Sequence, residues 1–156
     1  MTQTLPQELE QLEATEFDAG LVFSGAASGN MVRGYSSPCS CTPVADSTYI
    51  FHESARDVVV WFMNKLDPLY LYGPAGCGKS SLVKQLAARL NYPVFNVTAH
   101  GRMEFSDLTG HVSLQKGNMV YQYGPLALAM RYGALFIMDE VDLLPSEVAA
   151  GLYGIL

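Results

Sequence analysis

"LYGPAGCGKSSL" (71–82) decides how this chain is read. A short apolar run enters a turn with glycine at 73, 76 and 78, followed by Lys79, two serines and a helical pattern. Glycine accepts backbone angles that other residues resist. Successive N–H groups can therefore turn inward at the start of a helix, where the dipole also favours an anion. Gly73-Pro74-Ala75-Gly76-Cys77-Gly78-Lys79-Ser80 fits G-x-x-x-x-G-K-[ST] throughout. In that pattern Lys79 reaches the β- and γ-phosphates of a nucleotide and the Ser80 hydroxyl is a Mg²⁺ ligand. The expected nucleotide-binding residues are Gly73, Pro74, Ala75, Gly76, Cys77, Gly78, Lys79, Ser80 and Ser81. A plain glycine turn is the bland alternative, and the position between an apolar strand pattern and a helical one argues against it.

"ALFIMDE" (134–140) supplies a second half. An unbroken apolar run reads as a strand covered on both faces. It ends in Asp139 and Glu140 at the carboxyl edge of the sheet, where α/β folds bind ligands. Asp139 is expected to hold Mg²⁺ through water or through Ser80. Glu140 is expected to orient and polarise the attacking water, so that Glu140 and Lys79 carry catalysis. An apolar run followed by two acids is common by itself. Its distance of roughly 60 residues after the phosphate loop, with one strand between, matches a nucleotide triphosphatase.

The pattern around these stretches is α/β. Residues 54–66 read as a helix, with Ser54 and Asp57 at capping-box spacing and Val58, Val59, Phe62, Met63 and Leu66 on one stripe. Strands are expected at 69–72, 94–97 and 134–138, helices at 79–90 and 125–132, and a last helix after Pro145. Residues 111–123 read as two short strands around a Lys-Gly-Asn turn. Alternation of strand and helix predicts a parallel sheet. Residues 1–48 differ: an acidic helical stretch, then Gly/Ser/Pro-rich sequence without periodicity, expected to be a flexible, largely irregular arm.

Composition narrows the function classes. The chain has 156 residues, with 49% hydrophobic and 15% charged, the profile of a globular domain. No apolar run approaches the roughly 18 residues of a membrane span, and the first twenty residues hold neither a basic residue nor an apolar stretch. A cytoplasmic protein without a membrane partner is expected. The net charge of −6 divides into −4 up to Gly34 and −2 beyond it, so nucleic acid is an unlikely partner. Cys39, Cys41 and Cys77 make no disulfide framework. "PCSC" with His52 is half of a zinc pattern lacking a fourth ligand, so free thiols are expected.

From residue 49 onward the chain resembles AAA+ ATPases of the helix-2-insert, dynein-related group, which includes MoxR-like proteins, the NorQ/CbbQ activators and CobS. The likeness rests on "LYGPAGCGKSSLVKQLAARLNYPVFNV", on "DLTGHVSLQKGNMVYQYGPLALAMRYGALFIMDEVD" and on Pro145. "NVTAHGRMEFSDLTGH" (96–111) is similar to the CobS branch. The resemblance implies a P-loop three-layer sandwich, ATP and Mg²⁺ as cofactors, a homo-hexameric ring with ATP between subunits, and a client protein to be remodelled or activated. It implies that hairpin 111–123 is the group's insert, facing the pore or a partner. Trp61 and Phe51 would lie towards the adenine end.

The resemblance also implies a fourth strand lying between the first and third, a sensor residue, an arginine finger and a helical lid. None can be assigned here, so 49–156 reads as the N-terminal part of an ATPase core. That piece alone is expected to be poorly active, with a gap or an improvised pairing between 69–72 and 134–138. Two other readings share these residues: a McrB-like GTPase linked to DNA restriction, and a non-catalytic nucleotide-binding module. Glu140 argues against the second, since a pure sensor does not need it.

Overall fold

The computed structural model describes residues 5–23, 29–52, 55–64 and 67–155. The chain divides into two compact units, Met1–Pro93 and Val94–Leu156, each described by itself. Among the described residues, no helix is long and apolar enough to cross a membrane.

The first unit opens with α1 (Leu5–Glu10), β1 (Ala14–Asp18), α2 (Ala19–Val22) and β2 (Met31–Tyr35). Asp18 starts α2 as an N-cap, its carboxylate accepting from the Gly20 N–H at 2.8 Å and from the Gly29 N–H at 3.0 Å. β1 and β2 run antiparallel, from Ala14 opposite Tyr35 to Asp18 opposite Met31. Next come α3 (Arg56–Asn64) and α4 (Lys79–Arg89). α3 buries Val58, Val59 and Phe62, and α4 buries Val83, Leu86, Ala87 and Ala88, one apolar stripe on each helix. Edge-on aromatic contacts tie the pieces together: Tyr92 meets Tyr35 at 5.0 Å and Phe62 at 5.3 Å between ring centroids. Burial pushes the Tyr92 hydroxyl up to about 12.

The second unit runs β3 (Val94–Thr98), α5 (Phe105–Thr109), β4 (Gly110–Gln115), β5 (Asn118–Tyr123), α6 (Pro125–Tyr132), β6 (Leu135–Asp139), a 3₁₀ turn (Val141–Leu143) and α7 (Ser146–Tyr153). β3 and β6 pair in parallel, from Val94 opposite Leu135 to Thr98 opposite Asp139. α6 begins with Pro125 in its first turn, where a missing N–H costs nothing, and ends at Gly133 with φ 66°. The core gathers Met103, Leu108, Leu126, Val148 and Leu152, against which Val97, Phe136 and Met138 of the two strands pack. Phe136 and Met138 are two apart on β6 and share a face. Leu126 of α6 and the i, i+4 pair Val148 and Leu152 of α7 close over them.

The expected α/β character, the parallel pairing of the two later strands and the hairpin are all present. Other expectations need correction. Residues 69–72 form no strand and enter no ladder among the described residues. Instead Leu69, Tyr70 and Tyr72 are 37%, 68% and 85% exposed. An apolar run gives strand propensity, but a strand needs a partner to satisfy its N–H and C=O groups. Within the segment 1–48, expected to be a largely irregular arm, α1, β1, α2 and β2 are regular elements, and Ala19, Phe23 and Val32 are buried. Ser54 and Leu66, the proposed cap and end of the 54–66 helix, lie outside the described residues.

Candidate nucleotide site

The phosphate loop lies in the first unit between residue 72 and α4. Gly73, Gly76 and Gly78 have φ of 152°, 76° and 84°, all in the range that side chains with a Cβ resist. Gly78 is the residue immediately before α4, and the Leu82 N–H donates to its carbonyl at 2.8 Å. The loop thus leads straight into a helix N-terminus, where the dipole favours an anion. A Cβ built at Gly76 or Gly78 would meet nothing within 4 Å. Open space thus lies beside the backbone at two of its glycines.

Lys79 folds back over the loop. Its ammonium donates to the Gly73 and Pro74 carbonyls at 2.9 Å each and approaches the Cys77 thiol at 3.8 Å. One side chain therefore ties the turn's entrance to its exit and keeps a positive charge at its mouth. Sequence reading placed the lysine but not these two carbonyl partners, because main-chain acceptors leave no mark in residue identity. Ser80 lies in the first turn of α4, partly buried, with Ser81 exposed beside it.

Asp139 and Glu140 belong to the second unit. Asp139 is the last residue of β6, opposite Thr98 in the parallel ladder, and its carbonyl accepts from the Ala99 N–H at 2.8 Å. Glu140 follows with φ 56° and ψ 41°, left-handed for a residue that carries a Cβ. Its carbonyl accepts from the Leu143 N–H at 2.9 Å, which starts the 3₁₀ turn. The strand thus ends abruptly and leaves the Glu140 side chain exposed. Nothing in the apolar pattern signals that kink. It is the kind of backbone strain that concentrates at functional sites.

The family model for the AAA domain (dynein-related subfamily) matches residues 68–156, from just before the phosphate loop through the acidic pair. The chain belongs to this AAA family. Among curated relatives, Protein NorQ of Paracoccus denitrificans is 36% identical over 99 residues, covering 64% of this chain and 34% of NorQ. Protein CbbQ of Hydrogenophilus thermoluteolus is 42% identical over 74 residues, covering 47% of this chain and 28% of CbbQ. Midasin of Dictyostelium discoideum is 30% identical over 119 residues, covering 73% of this chain and 2% of midasin. The chain therefore spans about a third or less of each relative's length. These likenesses put the AAA domain among MoxR-like AAA+ ATPases, with a P-loop α/β fold.

Of the two aromatics that the resemblance set towards adenine, Phe51 is the one packed into the first unit. Phe51 is 8% exposed and meets Phe23 and Tyr49 edge-on at 5.8 and 5.1 Å. The Arg89 guanidinium lies 4.4 Å from the Phe51 centroid and donates to the Val22 and Tyr49 carbonyls. Trp61 donates its indole N–H to the Asp67 carbonyl at 2.6 Å. Cys39, Cys41 and Cys77 are free thiols. Among the described residues no group of three or more His, Cys, Asp or Glu could hold a metal ion.

Proposed function

We propose that this chain binds ATP with Mg²⁺ and hydrolyses it as the nucleotide-binding part of a ring-forming ATPase that remodels or activates a client protein. The observation that carries this reading is the phosphate loop: three positive-φ glycines folded under Lys79 at the head of α4. Residues 73–81 hold the nucleotide, and Lys79 moves its charge from two loop carbonyls to the β- and γ-phosphates. Ser80 and Asp139 are the proposed Mg²⁺ ligands; the ion, when bound, neutralises charge that develops on the phosphates. Glu140 positions the attacking water. The working assembly is a homo-hexamer, with residues 49–156 in the ATPase core and 1–48 preceding it. Titration with MgATP, competed by GTP, tests the nucleotide. Tighter binding of ATP is expected, whereas displacement by equal or lower GTP would favour a GTPase.

The client is proposed to meet the β4–β5 hairpin. Val112 opposes Tyr121 and Leu114 opposes Met119, so these four side chains share one face. Their exposures are 58%, 46%, 73% and 83%, an unusual amount of apolar surface for a hairpin. Val120 opposes Ser113 on the other face. Replacing 111–123 with a short Gly-Ser linker is expected to leave ATP affinity within about twofold while client activity is lost, because this face adds little to the core. Loss of ATP binding together with the fold would show that the hairpin is structural.

A further inference from the structure

Cys39 and Cys41 lie outside the nucleotide site, in a turn with unusual anchoring. The Thr42 N–H donates to the Cys39 carbonyl at 3.0 Å, which closes the turn. The Thr42 hydroxyl in turn accepts from the Cys39 N–H at 3.0 Å and lies 3.5 Å from the Cys39 sulfur. Cys39 stands at the first position of this turn and Cys41 at the third, one residue apart. The turn is held from two directions. The Ser40 N–H donates to a Glu8 carboxylate oxygen at 3.0 Å, and the Thr42 hydroxyl reaches the Asn91 carbonyl at 3.5 Å. Asn91 follows the end of α4 and also donates to the Tyr35 carbonyl at 2.9 Å. The two thiols thus sit where α1, β2 and the far end of the phosphate-loop helix are tied together.

Cys39 lines an open recess of about 340 Å³ with Glu8, Gln11, Leu12, Ser37 and Pro38. Cys41 is half-buried and does not line it. A small disulfide can therefore approach Cys39 through this recess. Two sulfurs with no third metal-capable group among the described residues fit a redox couple better than a zinc site, which needs four ligands.

We propose that Cys39 and Cys41 are a reversible dithiol–disulfide pair, oxidised by low-molecular-weight disulfides, that closes the turn joining the N-terminal segment to the end of α4. The Cys39 thiolate attacks one sulfur of the small disulfide. That S–S bond breaks, one thiolate leaves and takes up a proton, and a mixed disulfide forms on Cys39. Cys41 then gives its proton to solvent and attacks the Cys39 sulfur, expelling the second small thiol. The protein loses two electrons and two hydrogens, and the small disulfide is reduced to two thiols. Burial and the neighbouring Cys39 hold the Cys41 thiol above its ordinary range, which suits it to the intramolecular second step, where proximity replaces thiolate abundance. A ring spanning one residue departs from relaxed disulfide geometry and stays readily reducible. Closing it draws the Cys39 sulfur from Thr42, so the Thr42–Asn91 link responds to redox state.

The test equilibrates the purified chain with mixtures of reduced and oxidised glutathione, quenches with acid, alkylates and maps tryptic peptides. Cleavage after Arg33 and Arg56 places both cysteines on peptide 34–56, and Cys77 is read separately on 66–79. Peptide 34–56 is expected to lose both alkyl groups together, its paired fraction rising from below about a tenth to above about nine tenths across the series. Cys41→Ser should stop at a glutathione adduct on Cys39, because no resolving thiol remains. Both thiols alkylated throughout, or linkage to Cys77 or another chain, would overturn the proposal. So would protection of both thiols by equimolar zinc under reducing conditions, which would assign the pair to a metal.

Discussion

Replacing Lys79 with alanine is expected to weaken ATP binding by about 100- to 10,000-fold. In its proposed role the lysine would offer the phosphates two charge-assisted hydrogen bonds, each worth about 1.5–3 kcal/mol, and each 1.4 kcal/mol is about tenfold in affinity. It is the only cation between residues 71 and 82, so no neighbour in the loop can replace it. The same ammonium pins the Gly73 and Pro74 carbonyls, and the variant also loses the clamp that holds the loop in shape. Both residues are exposed, so water can satisfy the freed carbonyls, and global stability should change by less than about 1 kcal/mol. Calorimetric titration of MgATP alongside a thermal melt separates the two effects. An unchanged melt with lost binding supports the loop's role. Binding as tight as the parent's means the phosphate-loop reading is wrong.

What the sequence disclosed follows the range of the interactions involved. The loop, α4, α6 and the hairpin depend on near neighbours: glycines that permit positive φ, Pro125 at a helix start, Gly133 at its end. Their limits were legible to within a residue or so. Residues 69–72 and the β1–α2–β2 elements were not foreseen correctly because their state depends on distant partners. "LYLY" has a buried strand's composition but joins no ladder among the described residues. "MVRGY" looked like loop sequence, yet Val32 is buried and Gly34 sits against the Leu90 carbonyl, where a Cβ would come to 2.5 Å. That glycine serves close approach of two backbones, not a turn, and the approach is visible only once Leu90 is in place. The acidic pair was legible as the end of a strand and illegible as geometry. "DE" after an apolar strand named the carboxylates, while the left-handed turn at Glu140 has no residue signature of its own.

That turn shapes the second large prediction. Glu140→Gln keeps the side chain's size and its tolerance for φ 56°, so the 3₁₀ turn that begins with the Leu143–Glu140 bond should persist. What changes is the group at the end of the chain: an amide neither carries negative charge nor accepts a proton from an attacking water. General-base assistance of this kind is worth about 10²–10⁴ in rate. In any preparation of the protein that turns ATP over, the glutamine variant is therefore expected to hydrolyse it at least about 100-fold more slowly. ATP affinity should stay within a few-fold of the parent's, since the proposed role of Glu140 is exercised on water and not on the ground-state phosphates. Lys79→Ala is expected to lose binding, whereas Glu140→Gln keeps binding and loses turnover, and the contrast separates the two proposed roles. Single-turnover measurements with bound ATP read the chemical step directly, free of exchange between subunits. Parent-like turnover would move the water-positioning role away from Glu140. Lost binding would instead mean that the residue serves the fold of the β6 terminus, and an alanine scan of Val141 to Leu143 would then show the same loss.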